Sequence, residues 1–394
     1  MFFQDLKRVL RQNIRDFGMY IALFAIWIIF AFATDGLFLS SRNLSNLFNQ
    51  VGYIAVLAVG MTLVIVIRHI DLSVGFLAGF LGAVAAIMMF TWGWPVYLVI
   101  PVVLILGILA GLLTATPVAK LGVPSFVASL AGWLIYRGAL GVVTAGTGTI
   151  IIKDEIYNAI GNGFIPDIPG LAGFLGETHK LTILLGIIGV ILYCRSAIIS
   201  RRKKQAYNFE VLPRNIFILQ LVFLSALLLG ITWVLAGYNG LSWTFIIVLI
   251  VVGIYQYITT QTVLGRHIYA TGGNPEAAQL SGINVTRIIF IVFASMGMLS
   301  ALSGILFSSR LRSATTTAGQ LFELDAIAAA YVGGVSAAGG VGSIFGSLIG
   351  ALVMISLTSG MNLMGVDTNL QYIVRGLVLV LAVVFDVVTR KSGK

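Results

Sequence analysis

One stretch decides the fold: Val51-Gly-Tyr-Ile-Ala-Val-Leu-Ala-Val-Gly-Met-Thr-Leu-Val-Ile-Val-Ile67, then Arg68-His-Ile-Asp71, then Leu72-Ser-Val-Gly-Phe-Leu-Ala-Gly-Phe-Leu-Gly-Ala-Val-Ala-Ala-Ile-Met-Met-Phe90. Two charge-free apolar runs flank a short polar break. Each approaches the ~20 residues that a helix needs to cross a ~30 Å hydrocarbon core. Similar runs recur at Phe17–Thr34, Trp94–Ala119, Leu181–Cys194, Ile216–Ala236, Leu241–Thr262 and Ile288–Ser309. The 394-residue chain is 59% hydrophobic and only 10% charged, whereas soluble domains average about 25% charged residues. These totals define an all-α polytopic membrane protein, read as a single transmembrane domain over 1–394.

The net charge of +10 resembles a nucleic-acid signal, but its distribution argues against one. Lys and Arg fall in short loops between apolar runs, the pattern that orients helices in a bilayer. Cys194 is the one cysteine, which excludes an internal disulfide framework and a Cys-based zinc site. His69, His179 and His267 lie far apart, so no metal site is expected. At the N-terminus Lys7, Arg8, Arg11 and Arg15, an apolar run and Ala31-Phe32-Ala33 mimic a cleavable signal. The run is longer than a usual signal core, so it is read as an uncleaved first span.

Applying the basic-residue rule along the chain predicts about 12 membrane segments with both termini cytoplasmic. Spans are expected at 17–34, 51–67 (preceded by a short amphipathic outer segment, Ser40–Gln50), 72–90, 95–117, 124–145, 181–197, 215–236, 241–262, 287–308, 342–358 and 370–388. A re-entrant or broken helix is expected at 322–335. Residues 146–179 form an extracytoplasmic loop, 195–214 a basic cytoplasmic loop, and 265–285 a cytoplasmic loop. Gly75/Gly79 and Gly342/Gly346/Gly350 are small-xxx-small patterns that let helix backbones approach closely.

Four constellations carry functional potential. In Arg68–Gly75, Asp71 is placed to cap the following helix and Arg68 to pair with it. The break either lines a polar path inside the membrane, where irregular backbone is tolerated only against protein or water, or is a cytoplasmic turn. In the second, Arg137 lies within a span, where a charge is costly; pairing with Asp325 or Glu323 is expected. Arg375 and Gln371 are read in the same way. The third, Gly333–Gly342, lacks the Lys of a phosphate-binding loop and reads as a bend, with Glu323 and Asp325 capping the segment before it.

The fourth constellation is Gly265–Val285. Asn274 precedes Pro275, the favoured first helical residue, with Glu276 in the first turn and Gly282 as a stop. This predicts a short capped helix on the cytoplasmic side, either part of an ordinary loop or, with its small face, suited to a partner's groove.

At this segment the chain resembles the permease subunits of bacterial monosaccharide ABC transporters, the ribose/galactose/xylose family. The likeness extends to Ser40–Leu47, Leu57–Gly60 with Ile70–Gly75, Val123–Phe126, Glu323–Ala328 and Gly333-Gly334 with Gly339–Gly342. Its length is most like the xylose-type and multiple-monosaccharide members. The resemblance implies an inner-membrane importer of a pentose or hexose such as xylose, arabinose, galactose or glucose, working by alternating access. It implies a homodimer with a second permease subunit, a cytoplasmic ATPase that holds ATP and Mg, and an extracytoplasmic sugar-binding protein. This chain is then no enzyme and binds no cofactor itself.

ATPase coupling falls, on this resemblance, to Gly273, Asn274, Pro275, Glu276, Ala277, Ala278 and Gly282. Loop 146–179, with Lys153, Asp154, Glu155, Asp167 and Glu177, is a candidate docking surface for the binding protein. Candidate pathway residues are Asn46, Gln50, Tyr53, Asp71, Ser73, Trp133, Arg137, Asn362 and Gln371. The rival reading is an ion-coupled secondary sugar transporter, which requires carboxylates deep in spans; Asp71, Asp325 and Asp386 fall at breaks or ends.

Overall fold

The computed structural model describes residues 14–145, 148–169, 176, 178–209 and 211–391. In chain order the elements are α1 (Ile14–Ala33), a 3-10 turn (Leu37–Leu39), α2 (Ser41–Val66), α3 (Val74–Phe90), α4 (Val96–Leu121), α5 (Ser125–Thr144), β1 (Thr149–Ile151), α6 (Glu155–Asn162), α7 (Lys180–Ala206), α8 (Arg214–Ala236) and α9 (Trp243–Gln261). There follow α10 (Val263–Gly273), α11 (Pro275–Leu280), α12 (Val285–Leu311), β2 (Ser313–Thr315), α13 (Phe322–Val332), α14 (Ile344–Leu363) and α15 (Thr368–Lys391). Among the described residues, nine helices are long and apolar enough to cross a membrane, and Gly18–Ala33 and Val74–Phe90 are shorter apolar helices. The chain is an all-α polytopic membrane protein.

α2 is the central rod. Within its most apolar window 89% of residues are buried inside the protein, against α9, α12, α13 and α14. Lipid tails are as apolar as leucine, so no hydrophobic drive draws such helices together; small residues and close backbone contact do. α12 meets α4 at Gly107, Gly111 and Gly297: a Cβ on Gly297 would lie 2.1 Å from the Gly107 carbonyl oxygen, and one on Gly111 2.1 Å from that of Phe293. α12 meets α3 in the same manner, with a Gly304 Cβ falling 2.1 Å from the Ala78 carbonyl oxygen. α1 closes the far side, its Trp27 Nε1 donating to Ser356 Oγ of α14 at 2.9 Å. α7 and α8 pack on one another as a peripheral hairpin, with only 6% of each apolar window buried.

Several boundaries differ from the sequence reading. Ser40–Gln50 is no separate outer segment; Ser40 Oγ caps Asn43 N–H and one helix runs unbroken from Ser41 to Val66. α7 continues through the basic cluster to Ala206, its terminal Lys203 and Lys204 complementing the helix dipole. Residues 265–273 of the expected 265–285 loop belong to helix α10, started by Thr262 Oγ1 accepting from Gly265 N–H.

Loop 146–179 is largely structured where it is described. β1 pairs antiparallel with β2, Ile150 opposite Ala314. Asp154 caps α6, whose Tyr157 is fully buried and bonds Ser308 at 2.7 Å. Glu177 lies outside the described residues. Asp167 accepts the N–H groups of Leu181 (2.8 Å) and Lys180 (3.1 Å) at the start of α7. The Leu181 N–H above all holds its carboxyl down at about 2. A depressed folded value means this tether is fully present above the unfolded value near ~3.9 and is lost as pH falls through about 2. Asp167→Asn is therefore expected to speed hydrogen exchange at Lys180–Thr182 at pH 7; an unchanged exchange rate would remove the tether.

Candidate functional site

A buried polar cluster that includes Asp71, Ser73, Glu323 and Asp325 lies where two helices start late. α3 begins at Val74, after an extended stretch that runs beside α5: Ile70 N–H donates to Ser125 Oγ (3.2 Å), and Ser129 Oγ–H to the Ile70 carbonyl (3.4 Å). Asp71 is 2% exposed and accepts from both Ser73 N–H (3.0 Å) and Ser73 Oγ–H (2.6 Å). It thus braces the turn before α3 instead of capping the helix directly, since Ser73 is the N-cap residue and makes no side-chain cap bond. The expected Arg68–Asp71 pair does not form: Arg68 points the other way, to α10.

α13 is the second late starter, 11 residues long and so about 16 Å, roughly half of a ~30 Å crossing. Its N-cap residue Leu321 sits at φ +65° and makes no side-chain cap bond, while Glu323 and Asp325 lie in the first turn. The two starts touch. A Cβ on Gly75 would lie 2.1 Å from Glu323 Oε2, and one on Gly319 1.9 Å from the Gly75 carbonyl oxygen. Only glycine fits at either position. Phe322, the first residue of α13, packs on Tyr53 at the middle of α2 (ring centroids 4.8 Å) and on Phe307 of α12 (4.9 Å).

Glu323 is the polar centre of this junction. Trp133 Nε1 donates to its Oε1 at 3.0 Å, while Oε2 is buried without a hydrogen-bond partner among the described residues. Sequence reading did not rank Glu323 as a pathway residue, although an acidic residue opening a short apolar helix was a usable signal. Arg137, expected to pair with Asp325 or Glu323, pairs with neither. It is exposed on α5, its guanidinium over the rings of Trp133 (5.2 Å) and Phe76 (5.8 Å). One turn of helix separates Trp133 from Arg137, and this spacing favours cation–π stacking. Asp325 is engaged instead by Arg375 of α15, whose Nε donates to Oδ1 at 3.0 Å and whose second nitrogen meets Oδ2.

The remaining candidates divide between this junction and the far end of α2. Tyr53, Asp71, Ser73, Trp133 and Arg137 surround the junction. Asn46 is exposed, Gln50 half-buried, and Asn362 and Gln371 bond to one another at 2.8 Å in the α14–α15 connection. Ser359 Oγ–H to Asn43 Oδ1 (3.4 Å) places that connection beside the start of α2. Asn49, which sequence reading passed over, is buried with Oδ1 unpartnered among the described residues.

At the other end of α2, α10 and α11 follow one another, parted by Asn274 in an extended conformation. Asn274 Oδ1 accepts from Ala277 N–H at 3.1 Å and Pro275 opens α11, as expected from the sequence. Gly282 stops it at φ +84°. Ala278 faces inward, while Glu276, Ala277 and Leu280 are exposed, Leu280 at 91%. The corner between the two helices is tied to the bundle: Arg68 Nε donates to the Gly272 carbonyl at 2.6 Å and a second guanidinium nitrogen reaches that of Gly273.

Helices long and apolar enough to cross a membrane, two late helix starts meeting among them, and an exposed short helix tied to the bundle fit a membrane permease component. The permease-component model of branched-chain amino acid transport systems matches residues 43–383, and the chain belongs to that family. It is 40% identical to the xylose transport system permease protein XylH of Escherichia coli, over 97% of this chain and 94% of that protein. It is likewise 40% identical to XylH of Haemophilus influenzae, over 96% and 98%, and 36% identical to the ribose import permease protein RbsC of the same organism, over 89% and 86%. No solved structure matches. The chain is a multi-pass permease component of a transport system.

Proposed function

We propose that this chain is the transmembrane permease of an ATP-driven importer for a monosaccharide, xylose first among pentoses and hexoses, in a bacterial inner membrane. Its similarity to XylH at 40% identity over nearly the whole chain supports the substrate class. The observation that carries the mechanism is the α10–α11 elbow, an exposed capped helix bonded through Arg68 to the break between α2 and α3. On this reading Gly273, Asn274, Pro275, Glu276, Ala277, Ala278 and Gly282 form the coupling surface for a cytoplasmic ATPase carrying ATP and Mg. Leu280, exposed at 91%, is its apolar anchor.

α1 to α15 then make 12 membrane segments, counting α13 as the half-length inward one and leaving out α6, α10 and α11, with both termini cytoplasmic. The β1–β2 ribbon and α6 receive the binding protein on the outer face. A second copy of the chain completes the pathway; the exposed face of α5, with open space over Gly138 and Gly141, is available to it. Sugar passes the junction of Tyr53, Trp133 and Glu323, where aromatic faces and a free carboxylate oxygen suit stacking against and bonding to hydroxyls.

Glu276→Lys is expected to leave a folded permease whose ATP-dependent uptake falls at least tenfold in vesicles. Leu280→Asp is expected to abolish co-purification with the ATPase. Normal xylose uptake by Glu276→Lys would sink the coupling assignment. The ion-coupled reading retains one observation, the unpartnered buried Glu323 Oε2; uptake that collapses with the ion gradient and ignores ATP would decide for it.

A further inference from the structure

Sequence-distant segments converge at the inner corner of α10, and Arg68 is among the groups that hold them. Arg68 bonds the carbonyls of Gly272 and Gly273 across 204 residues of chain. Its own backbone sits at φ +66°, a left-handed conformation that non-glycine residues adopt where surroundings hold it. Around it the backbones leave no room for side chains. A Cβ on Gly272 would lie 1.7 Å from the Val66 carbonyl oxygen, and one on Gly339 2.4 Å from Arg68 Cγ. Gly340 N–H donates to that same Val66 carbonyl at 2.8 Å, and Tyr269 Oη–H of α10 to the Gly342 carbonyl at 2.7 Å. Asp386 of α15 accepts from Ser336 Oγ–H at 3.2 Å, bringing a further helix to the same loop.

A charged side chain on helix-end carbonyls is an ordinary cap, but the ends joined here are particular. Residue 68 opens the break that leads into α3, and 336–342 is the link between α13 and α14. α3 and α13 are the two late-starting helices that meet at Gly75, Gly319 and Glu323. The corner therefore grips the near ends of both broken elements at once, and α11 is its exposed handle.

Resting on the coupling reading above, we propose that Arg68 is a positioning residue that locks α10–α11, the α2–α3 break and loop 336–342 into one body, so that a push on α11 moves the start of α3 and the end of α13 together. The predicted consequence is mechanical: without the guanidinium, α11 still binds its partner but its motion no longer reaches the junction.

The test uses the assembled complex of permease, ATPase and binding protein in proteoliposomes with xylose. Arg68→Gln is expected to co-purify with the ATPase while sugar moved per ATP hydrolysed drops at least tenfold; Arg68→Lys, keeping the charge on a single nitrogen without the guanidinium fork, falls between. Wild-type stoichiometry in Arg68→Gln overturns the proposal. Spin labels at Ser281→Cys and Ala338→Cys, in a Cys194→Ser background, read the lock directly in the permease alone. Their distance distribution is expected to be narrow with Arg68 and to broaden in Arg68→Gln; equal widths overturn the lock. A third label at Trp92→Cys separates the two ideas. An ATP-insensitive 281–92 distance in the complex defeats the coupling reading, while the 281–338 width still judges the lock.

Discussion

Asp325→Ala lowers the unfolding temperature of the detergent-solubilised protein by on the order of 5 °C or more, and most of that loss returns when Arg375 is neutralised as well. Asp325 and Arg375 join α13 to α15 through two parallel bonds, with side-chain exposures of 11% and 18%. Each charge was taken from water at a cost that only its partner offsets. Removing one side leaves a guanidinium facing the interior of a lipid-embedded protein, a loss of about 3–5 kcal/mol for a buried pair. Replacing both by apolar residues of similar volume, Asp325→Leu with Arg375→Met, removes the desolvation cost along with the bond and is expected to be near neutral. A single variant as stable as the parent would show that water reaches the pair. The pair also ties α13, which Phe322 opens, to α15, so the single variant is expected to slow sugar uptake more than its stability loss explains.

Gly297→Val is expected to be at least as damaging. The crossing of α12 over α4 is backbone on backbone. The Gly107 carbonyl oxygen lies 2.1 Å from where a Gly297 Cβ would sit, and that of Gly297 2.4 Å from a Gly107 Cβ. No flexible side chain is present to yield, so the helices must separate along their length. Overpacking a tight core costs about 1–3 kcal/mol, and here the upper end applies because the strain enters the largest helix pair in the bundle. The expected readout is loss of monodisperse protein on size-exclusion chromatography. Gly253→Val, on a face of α9 with open space beside it, is the matched control and is expected to purify normally. Equal yields would show that α4 and α12 can slide apart.

Much of this architecture is written in the order of residues. Charge-free runs located the long apolar helices, usually to within a few residues at each end, because an uninterrupted apolar run of that length is itself the signal. The α11 cap was legible for a similar reason: Asn274, Pro275, Glu276 and Gly282 each act within one turn of their own backbone. The pairings were not legible. Arg137 stacks on Trp133 and Phe76, Arg68 turns from Asp71 to α10, and Asp325 takes Arg375. Each choice depends on which helix lies alongside, and a lone Arg in an apolar run is compatible with any carboxylate within reach. Local readings erred too where propensity alone decided: residues 265–273 became helix because Thr262 caps them and Gly265 fits against the Ile258 and Thr259 carbonyls.

The sequence by itself determined that the chain is an all-α polytopic membrane protein and that a small capped helix opens at Pro275. Tertiary structure alone decided which apolar helix faces protein and which faces lipid. α2 and α7 have similar hydropathy, 1.8 and 2.2, yet 89% of one window is buried and 6% of the other. Hydropathy measures the exclusion of water, and both lipid and protein exclude it. Only the glycine contacts and the few buried bonds, made between residues hundreds of positions apart, tell the two apart.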